Sequence, residues 1–352
     1  MPEKSSVVQR DCMYQARLKG TYYEMGYQQG EMMKRKALPS TWLQSFGEEV
    51  NPARKDFAEK CEGIVCQYMP EFLEELHGVS DAVGIDYDIV KIWPLCLYAK
   101  LQSCSAVAIS GDHTAQGEPL FIWNYDFLDA DGKDFTVFWT MPKDGYSSLG
   151  FTDAMSGRYC GFNEKGLAVA SSISGYAGST QPGITSNLVT RWILDHYATT
   201  GEAVEFLRKV PHFHGWNFLL CDAYSNIVRV ETSPERTEGI NFDEGIGFIT
   251  NHYISEEMRK LEEKDWRSGN NGSTVKRCDN ILNWFRNRSG PVTTDHACKL
   301  ARSRVDEGGL CDRFVGVEGG TLWSWIYAIG EKDVLISDGP PDKCAYQKTL
   351  AF

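Results

Sequence analysis

Apolar residues change their spacing near residue 103. From Asp56 to Ala82, Phe57, Cys61, Ile64, Val65, Met69, Phe72, Leu73 and Leu76 recur at helical intervals, and Pro70 predicts a break into two helices. Ahead of them, residues 16–20 read as a short edge strand. Thr21 with Glu24 predicts a capping box opening a helix. Gly26 and Gly30 lie four apart on one face of that helix, as close packing against another element requires. Ile85-Asp86-Tyr87-Asp88 starts a further helix through Val90, Ile92, Leu95 and Tyr98, with a kink at Pro94.

Beyond Ser103 the texture is mostly β. Strands are predicted at 103–109, 118–126, 136–140, 148–151, 159–163 and 167–170. Two helices follow, around 188–198 and 201–210, the second capped by Thr199 or Thr200. A hairpin at 216–221 and 227–231, a strand at 247–252, a helical stretch over 255–305 broken at 268–273, and a hairpin at 321–329 and 333–337 complete the pattern. No internal repeat or low-complexity tract is present. Segregated blocks of helix and strand predict an α+β protein, a four-layer α/β/β/α sandwich of antiparallel sheets.

The first hairpin carries the chemistry. Its outgoing strand opens on Ser103-Cys104-Ser105 and its return strand closes on Asn124-Tyr125-Asp126-Phe127. Antiparallel pairing brings these outer ends together, so Cys104 and Asp126 are expected as neighbours. A thiol beside an orienting carboxylate can form a nucleophilic site. The plain alternative is a buried structural thiol, one of 11 cysteines. On the return strand Asn124 and Asp126 share one face, and Trp123 and Tyr125 the other.

Composition narrows the field. The chain has 352 residues, 42% hydrophobic and 24% charged, with net charge −12. Nucleic acid is a poor partner for such an acidic chain, and a cationic or neutral substrate is slightly favoured. There is no signal-peptide pattern and no membrane-spanning run, so a cytoplasmic protein without a membrane partner is expected. The odd cysteine count and the lack of a Cys-x-x-Cys pair agree, and the sequons at Asn271 and Asn287 are discounted on that ground. His212-Phe213-His214 lacks the carboxylate and third ligand of a metal site, so neither metal nor cofactor is expected.

The ordered motifs resemble the penicillin acyltransferase-like autoproteolytic family of N-terminal-nucleophile hydrolases, typified by acyl-coenzyme A:6-aminopenicillanic acid acyltransferase. The matching segments are Gly20-x5-Gly26-x3-Gly30, Ser103-Cys104-Ser105, Asn124-Tyr125-Asp126-Phe127, Gly161-Phe162-Asn163-x2-Gly166-Leu167, Asn217-Phe218-Leu219-Leu220-x-Asp222, Thr250-Asn251-His252, Cys311-x-Arg313, Thr321-Leu322-x-Ser324, and Gly339-Pro340-Pro341 with Tyr346. Asn163-Glu164-Lys165-Gly166-Leu167 and Gly175-Tyr176-Ala177 are shared with the related choloylglycine hydrolases.

The resemblance implies self-cleavage between Ser103 and Cys104, giving a mainly helical small chain, 1–103, and a catalytic large chain, 104–352. The freed α-amine of Cys104, with an ordinary pKa near about 8, then serves as base for its own thiol. It further implies that Asp126 orients the nucleophile and that Asn251 supports the oxyanion or the amine. Arg313 matches a site arginine of the bile-salt hydrolases, a surface ion pair being the other reading. Ser105, Asn124, Tyr125 and His252 are expected around the substrate. Three departures stand out. Ser103 replaces a frequent glycine. Trp123 replaces an arginine of the choloylglycine hydrolases. The second oxyanion asparagine falls near Ser172–Ser174, so the role would pass to a serine hydroxyl, Ser172 being the candidate, or to a backbone N–H.

The leading reading is an amide hydrolase or acyltransferase working through a thioester on Cys104. Its substrate would be a small neutral or cationic amide, with an acyl-coenzyme A donor as a candidate partner and homo-oligomer formation left open. The alternatives are a conventional Cys–His hydrolase using His252 or His113, and an uncleaved relative that binds a small ligand without turnover.

Overall fold

Thr21 turns the chain from strand to helix in a computed structural model that describes residues 7–10, 13–38, 40–45, 47, 51–96, 103–128, 135–153, 155–268 and 273–351. Its hydroxyl accepts from the Glu24 N–H, and Glu24 accepts from the Thr21 N–H at 2.7 Å, the reciprocal cap expected from the sequence. Met1–Ser6, Tyr98, Gln102 and Asn271 lie outside the described residues.

The elements run β1 Val7–Arg10, β2 Met13–Gly20, α1 Tyr22–Lys34, α2 Ser40–Ser45, α3 Pro52–Tyr68, α4 Glu71–Val83, α5 Tyr87–Val90 and α6 Ile92–Cys96. Next come β3 Ser103–Ile109, β4 Leu120–Leu128, β5 Thr136–Pro142, β6 Ser148–Thr152, β7 Cys160–Asn163 and β8 Ala168–Ile173. The helices α7 Ser186–His196 and α8 Thr200–Lys209 precede β9 Trp216–Cys221, β10 Ile227–Thr232, β11 Thr237–Asn241 and β12 Ile246–Ile249. The chain closes with α9 Glu256–Arg259, α10 Ser273–Arg286, α11 Thr294–Arg302, β13 Gly319–Ala328, β14 Asp333–Ser337 and β15 Tyr346–Leu350.

Among the described residues these strands form two sheets. One has the order β1-β2-β5-β6-β7-β8-β9-β10-β11, the other β12-β3-β4-β13-β14-β15. Pairing is antiparallel throughout except between β2 and β5, which run parallel with Tyr14 opposite Thr136. The edge strand expected at 16–20 is therefore an interior strand, with Ala16 and Leu18 buried.

Alternation along β3 sets the layers. Val107 and Ile109 pack with Cys278, Ile281, Ala297 and Leu300 of α10 and α11. Ala106 and Ala108 face the other way, into an aromatic layer between the sheets containing Phe121, Trp123, Tyr125, Phe151, Trp323 and Trp325. In register, Ala106 lies opposite Trp123 and Ala108 opposite Phe121, small against large. On the outer face of the larger sheet, Met25 of α1, Val65 of α3, Leu76 of α4, Ile193 of α7 and Leu207 of α8 share a third cluster with Val169, Phe218 and Leu220. The result is the four-layer α/β/β/α, α+β sandwich. Within it α1 and α4 approach closely: a Cβ on Gly26 would sit 1.9 Å from the Glu75 carbonyl oxygen.

Three departures have physical causes. The helix expected through Pro94 is two short helices parted at Lys91, whose buried ammonium pairs with Glu62 at 2.8 Å and Asp88 at 2.7 Å. The helical stretch over 255–305 is three helices, because Gly290 (φ +78°) and Pro291 lie between α10 and α11. Strands β11 and β15 were not expected: both lie at sheet edges, and neither shows a buried alternating face.

Candidate active site

The pairing of β3 with β4 puts Ser103 opposite Asp126, Cys104 opposite Tyr125 and Ser105 opposite Asn124. Residues directly opposite share a face. Cys104 therefore turns its thiol into the aromatic layer between the sheets, while Ser103, Ser105, Asn124 and Asp126 face the helices α10 and α11. Cys104 and Asp126 are neighbours across the hairpin, but diagonal ones, with their side chains on opposite faces. The Asp126 carboxylate lies on the far side of the sheet.

That side is organised by two residues. Asn251 follows β12, and its Oδ1 accepts from the Cys104 N–H at 3.0 Å, the Ser103 hydroxyl at 3.0 Å and Arg277 at 2.9 Å. Three donors around one atom fix the amide orientation, because the Nδ2 group could not accept from them. Nδ2 instead donates to the Ile173 carbonyl at 3.1 Å.

Arg277 is the second residue, and the sequence reading did not name it. It is buried on α10 and donates to the Cys104 carbonyl (2.6 Å), the Ser105 hydroxyl (2.7 Å) and the Ser103 hydroxyl (2.6 Å). Its guanidinium also pairs with Asp126 Oδ2 at 3.5 Å and Asp312 at 3.9 Å. One signal for it was present. Thr274, Arg277, Cys278 and Ile281 form the buried stripe of α10, so the arginine occupies an inward-facing position.

Burial dominates the electrostatics. The Cys104 thiol is pushed well above its ordinary range by desolvation and by the Asp126 carboxylate, so in the uncut chain it is a thiol and not a thiolate. Asp126 is pushed up to about 7 by burial, against the opposing pull of Arg277. Thr321 donates to Asp126 Oδ1 at 2.6 Å, while Oδ2 accepts no hydrogen bond among the described residues.

The other predicted residues take structural contacts. Tyr125 stacks on Tyr159 and Trp323, and its hydroxyl donates to Asp153. Asn124 donates to the Ala301 carbonyl at 2.8 Å. Ser172 donates to the Thr250 carbonyl at 2.7 Å, holding the turn that carries Asn251. Arg313 donates from Nη1 to the Thr321 carbonyl at 3.1 Å and from Nη2 to Asp342 at 2.7 Å, clamping a loop.

Neither histidine is paired with the thiol. His252 Nδ1 bonds the hydroxyls of Thr274 (2.9 Å) and Thr250 (3.1 Å), and burial among arginines depresses its pKa to about 3. His113 packs on Phe285 beyond the other end of β3. From Cys104 to Ile109 alone the strand spans about 16 Å at ~3.3 Å per residue. Neither histidine is thus placed as a base for Cys104. Among the described residues no group of metal-ligating side chains occurs, and no helix is long and apolar enough to cross a membrane.

Solved structures with similar backbones include a conjugated bile acid hydrolase variant from Clostridium perfringens (12% identity, 71% of this chain and 97% of that one, TM-score 0.45). Penicillin V acylase from Agrobacterium tumefaciens is another (15% identity, 66% and 82% coverage, TM-score 0.44). A third is the Caenorhabditis elegans ortholog of N-acylethanolamine-hydrolyzing acid amidase (13% identity, 71% and 100% coverage, TM-score 0.47). No curated protein matches by sequence. The family model described as acyl-coenzyme A:6-aminopenicillanic acid acyl-transferase matches residues 113–306, a stretch that contains Asp126, Asn251 and Arg277 and begins just after Cys104. That match covers more than half of the 352 residues, and the chain belongs to the acyl-coenzyme A:6-aminopenicillanic acid acyl-transferase family.

Proposed function

We propose that the chain cuts its own Ser103–Cys104 bond and then uses Cys104 as an N-terminal nucleophile on a small amide. The observation that carries this reading is the set of buried polar contacts on the Cys104 nitrogen and on the residues flanking it. Asn251 holds the Cys104 nitrogen, Arg277 holds the Cys104 carbonyl and both flanking serine hydroxyls, and Asp126 lies opposite Ser103. Holding the nitrogen of the bond to be cut, and the nucleophilic residue through its own carbonyl, is the kind of restraint near-attack positioning needs.

In the cut, the thiol adds to the Ser103 carbonyl and the C–N bond breaks. The thiol proton passes to the departing nitrogen, which becomes the α-amine of Cys104. Water then hydrolyses the Ser103 thioester, leaving a carboxylate on Ser103 and a free thiol. The cut leaves Ser103 as the end of the chain 1–103, no longer tied to the Cys104 nitrogen. The new amine, with an ordinary pKa of about 8, then takes the thiol proton, so no imidazole is required. The thiolate attacks the substrate carbonyl, the amine departs with a proton, and the acyl group rests on Cys104 as a thioester. Water or a second amine receives it. An acyl-coenzyme A donor would load the same thioester by exchange.

The chains 1–103 and 104–352 would stay together after cleavage. Strand β2 is hydrogen-bonded to β5 within one sheet, Tyr22 donates to Asp195 at 2.7 Å, and Arg191 pairs with Glu75 at 3.4 Å in the buried interior. For substrate, the thiol's face is aromatic, with Tyr125, Phe135, Tyr159 and Trp323, and Asp153 acts on the thiol as a nearby negative charge. Both features favour a neutral or cationic amide over an anionic one.

Intact mass and N-terminal sequencing test the cut: two copurifying chains are expected, one beginning at Cys104, and Cys104→Ala should remain whole and inactive. A full-length chain that is nevertheless active on amides would overturn the reading. A panel of amides, with the acyl-thioester trapped on Cys104 and read by mass, tests the substrate class. Efficient turnover of glycine- or taurine-conjugated bile acids with cationic amides ignored would reverse it.

A further inference from the structure

We infer that Thr321 is a positioning residue that sets the orientation and ionisation of Asp126; this rests on the reading of Asp126 as part of the Cys104 site. In an unbroken strand Thr321 and Trp323 would share a face. Here the β13–β4 register shifts between them: Thr321 lies opposite Asp126, and Trp323 lies opposite Tyr125. The bulge at Leu322 thus sends the hydroxyl to the carboxylate's side of the sheet and the indole to the thiol's side.

The Thr321 backbone and hydroxyl are then fixed by a neighbouring loop. The Thr321 N–H donates to the Asp312 carbonyl at 3.1 Å, its carbonyl accepts from Arg313 at 3.1 Å, and its hydroxyl oxygen accepts from the Asp312 N–H at 2.8 Å. Gly320 (φ +147°) permits this approach, since a Cβ there would sit 2.4 Å from the Asp312 oxygen. With the oxygen so occupied, the Thr321 proton points to Asp126 Oδ1 at 2.6 Å. Oδ2 is left as the open acceptor, 3.5 Å from Arg277. The charged groups acting on Asp126 are Arg277 from α10, and Asp312 and Arg313 from the loop before β13. Thr321 stabilises the ionised form, and its loss should push the titration upward.

The test uses the whole chain carrying Cys104→Ala, labelled with ¹³C-aspartate, with the Asp126 signal assigned by its disappearance in Asp126→Asn. In Thr321→Val the Asp126 titration should rise by about 1–2 pH units, the effect of losing one hydrogen bond to a charged group. Thr321→Ser should titrate like the parent. With Cys104 restored, Thr321→Val should slow the Ser103–Cys104 cut at pH 7 by about five- to fifty-fold, the loss of ionised carboxylate expected from that shift, and recover toward pH 9. A merely structural role would show no such recovery. Should Thr321→Val not fold, Thr321→Ala serves the same comparison. Unshifted titration in the folded variant overturns the inference. If the parent with Cys104 never cuts while the titration still shifts, the positioning role stands and the proposed reaction falls.

Discussion

Asp126→Asn separates the cost of the site from its use. Burial raises the Asp126 carboxyl from 3.8 to about 7 despite the nearby guanidinium. One pH unit of displacement corresponds to about 1.4 kcal/mol, so the ionised carboxylate costs the folded chain roughly 4 kcal/mol. The sign follows from proton binding. Between about pH 4 and 7 the folded state holds a proton that the unfolded state has lost, so stability falls as pH rises across that window and is flat above it. Asparagine keeps the shape and the Oδ1 acceptor for Thr321 but has no charge to bury. Urea unfolding of Cys104→Ala and of Cys104→Ala with Asp126→Asn, from pH 4 to 9, gives the difference directly. The double variant should gain on the single one by up to roughly 4 kcal/mol by pH 8, with the curves converging near pH 4. In a chain that retains Cys104, Asp126→Asn should fold yet lose orders of magnitude in cutting rate. Parallel stability curves would refute the claim that Asp126 is a buried carboxylate held against its preference.

Arg277→Met removes the partner of Asp126 and the bonds to both serines flanking the cysteine; it should cost about 3–5 kcal/mol in urea unfolding and leave the chain uncut on a denaturing gel. Gly26→Ala places a methyl 1.9 Å from the Glu75 carbonyl oxygen and should lower stability by about 1–3 kcal/mol as α1 is forced from α4. By contrast, Gly63→Ala on α3, where a Cβ meets nothing within 4 Å, should raise it by about 0.5–1 kcal/mol. His113→Ala should cut at the parental rate in a time course followed by mass, because the ring packs on Phe285 away from the thiol.

Much of the architecture was legible because its signals are local. The capping box at Thr21 and the break at Pro70 depend on a few adjacent residues and occur where expected, and of the two caps left open for α8 it is Thr199, in a capping box with Glu202, that forms. Cys104, Asp126 and Asn251 were legible as motifs at the ends of strands. Their faces were not. Ten residues join β3 to β4, including a 3₁₀ turn at Gly111–His113, so no tight turn fixes the register. A register one residue different would put Cys104 and Asp126 directly opposite, on one face; the actual one sets Tyr125 against the cysteine.

That single-residue offset decides how the site can work. With both groups on one face, the carboxylate would bear on the thiol itself. On opposite faces, it lies opposite Ser103 at the bond to be cut, where it would act during the cut and on the amine that cleavage would create. Arg277 belongs to the same logic. A buried cation beneath a strand is expensive unless it is paired and hydrogen-bonded. Here its partners are the two serines beside the cysteine, the cysteine carbonyl, Asn251 and Asp126. The serines flanking Cys104 thus gain a role that the Ser-Cys-Ser motif alone could not show: they are ligands for a guanidinium delivered from a helix about 170 residues away, a distance over which no periodicity in the sequence carries information.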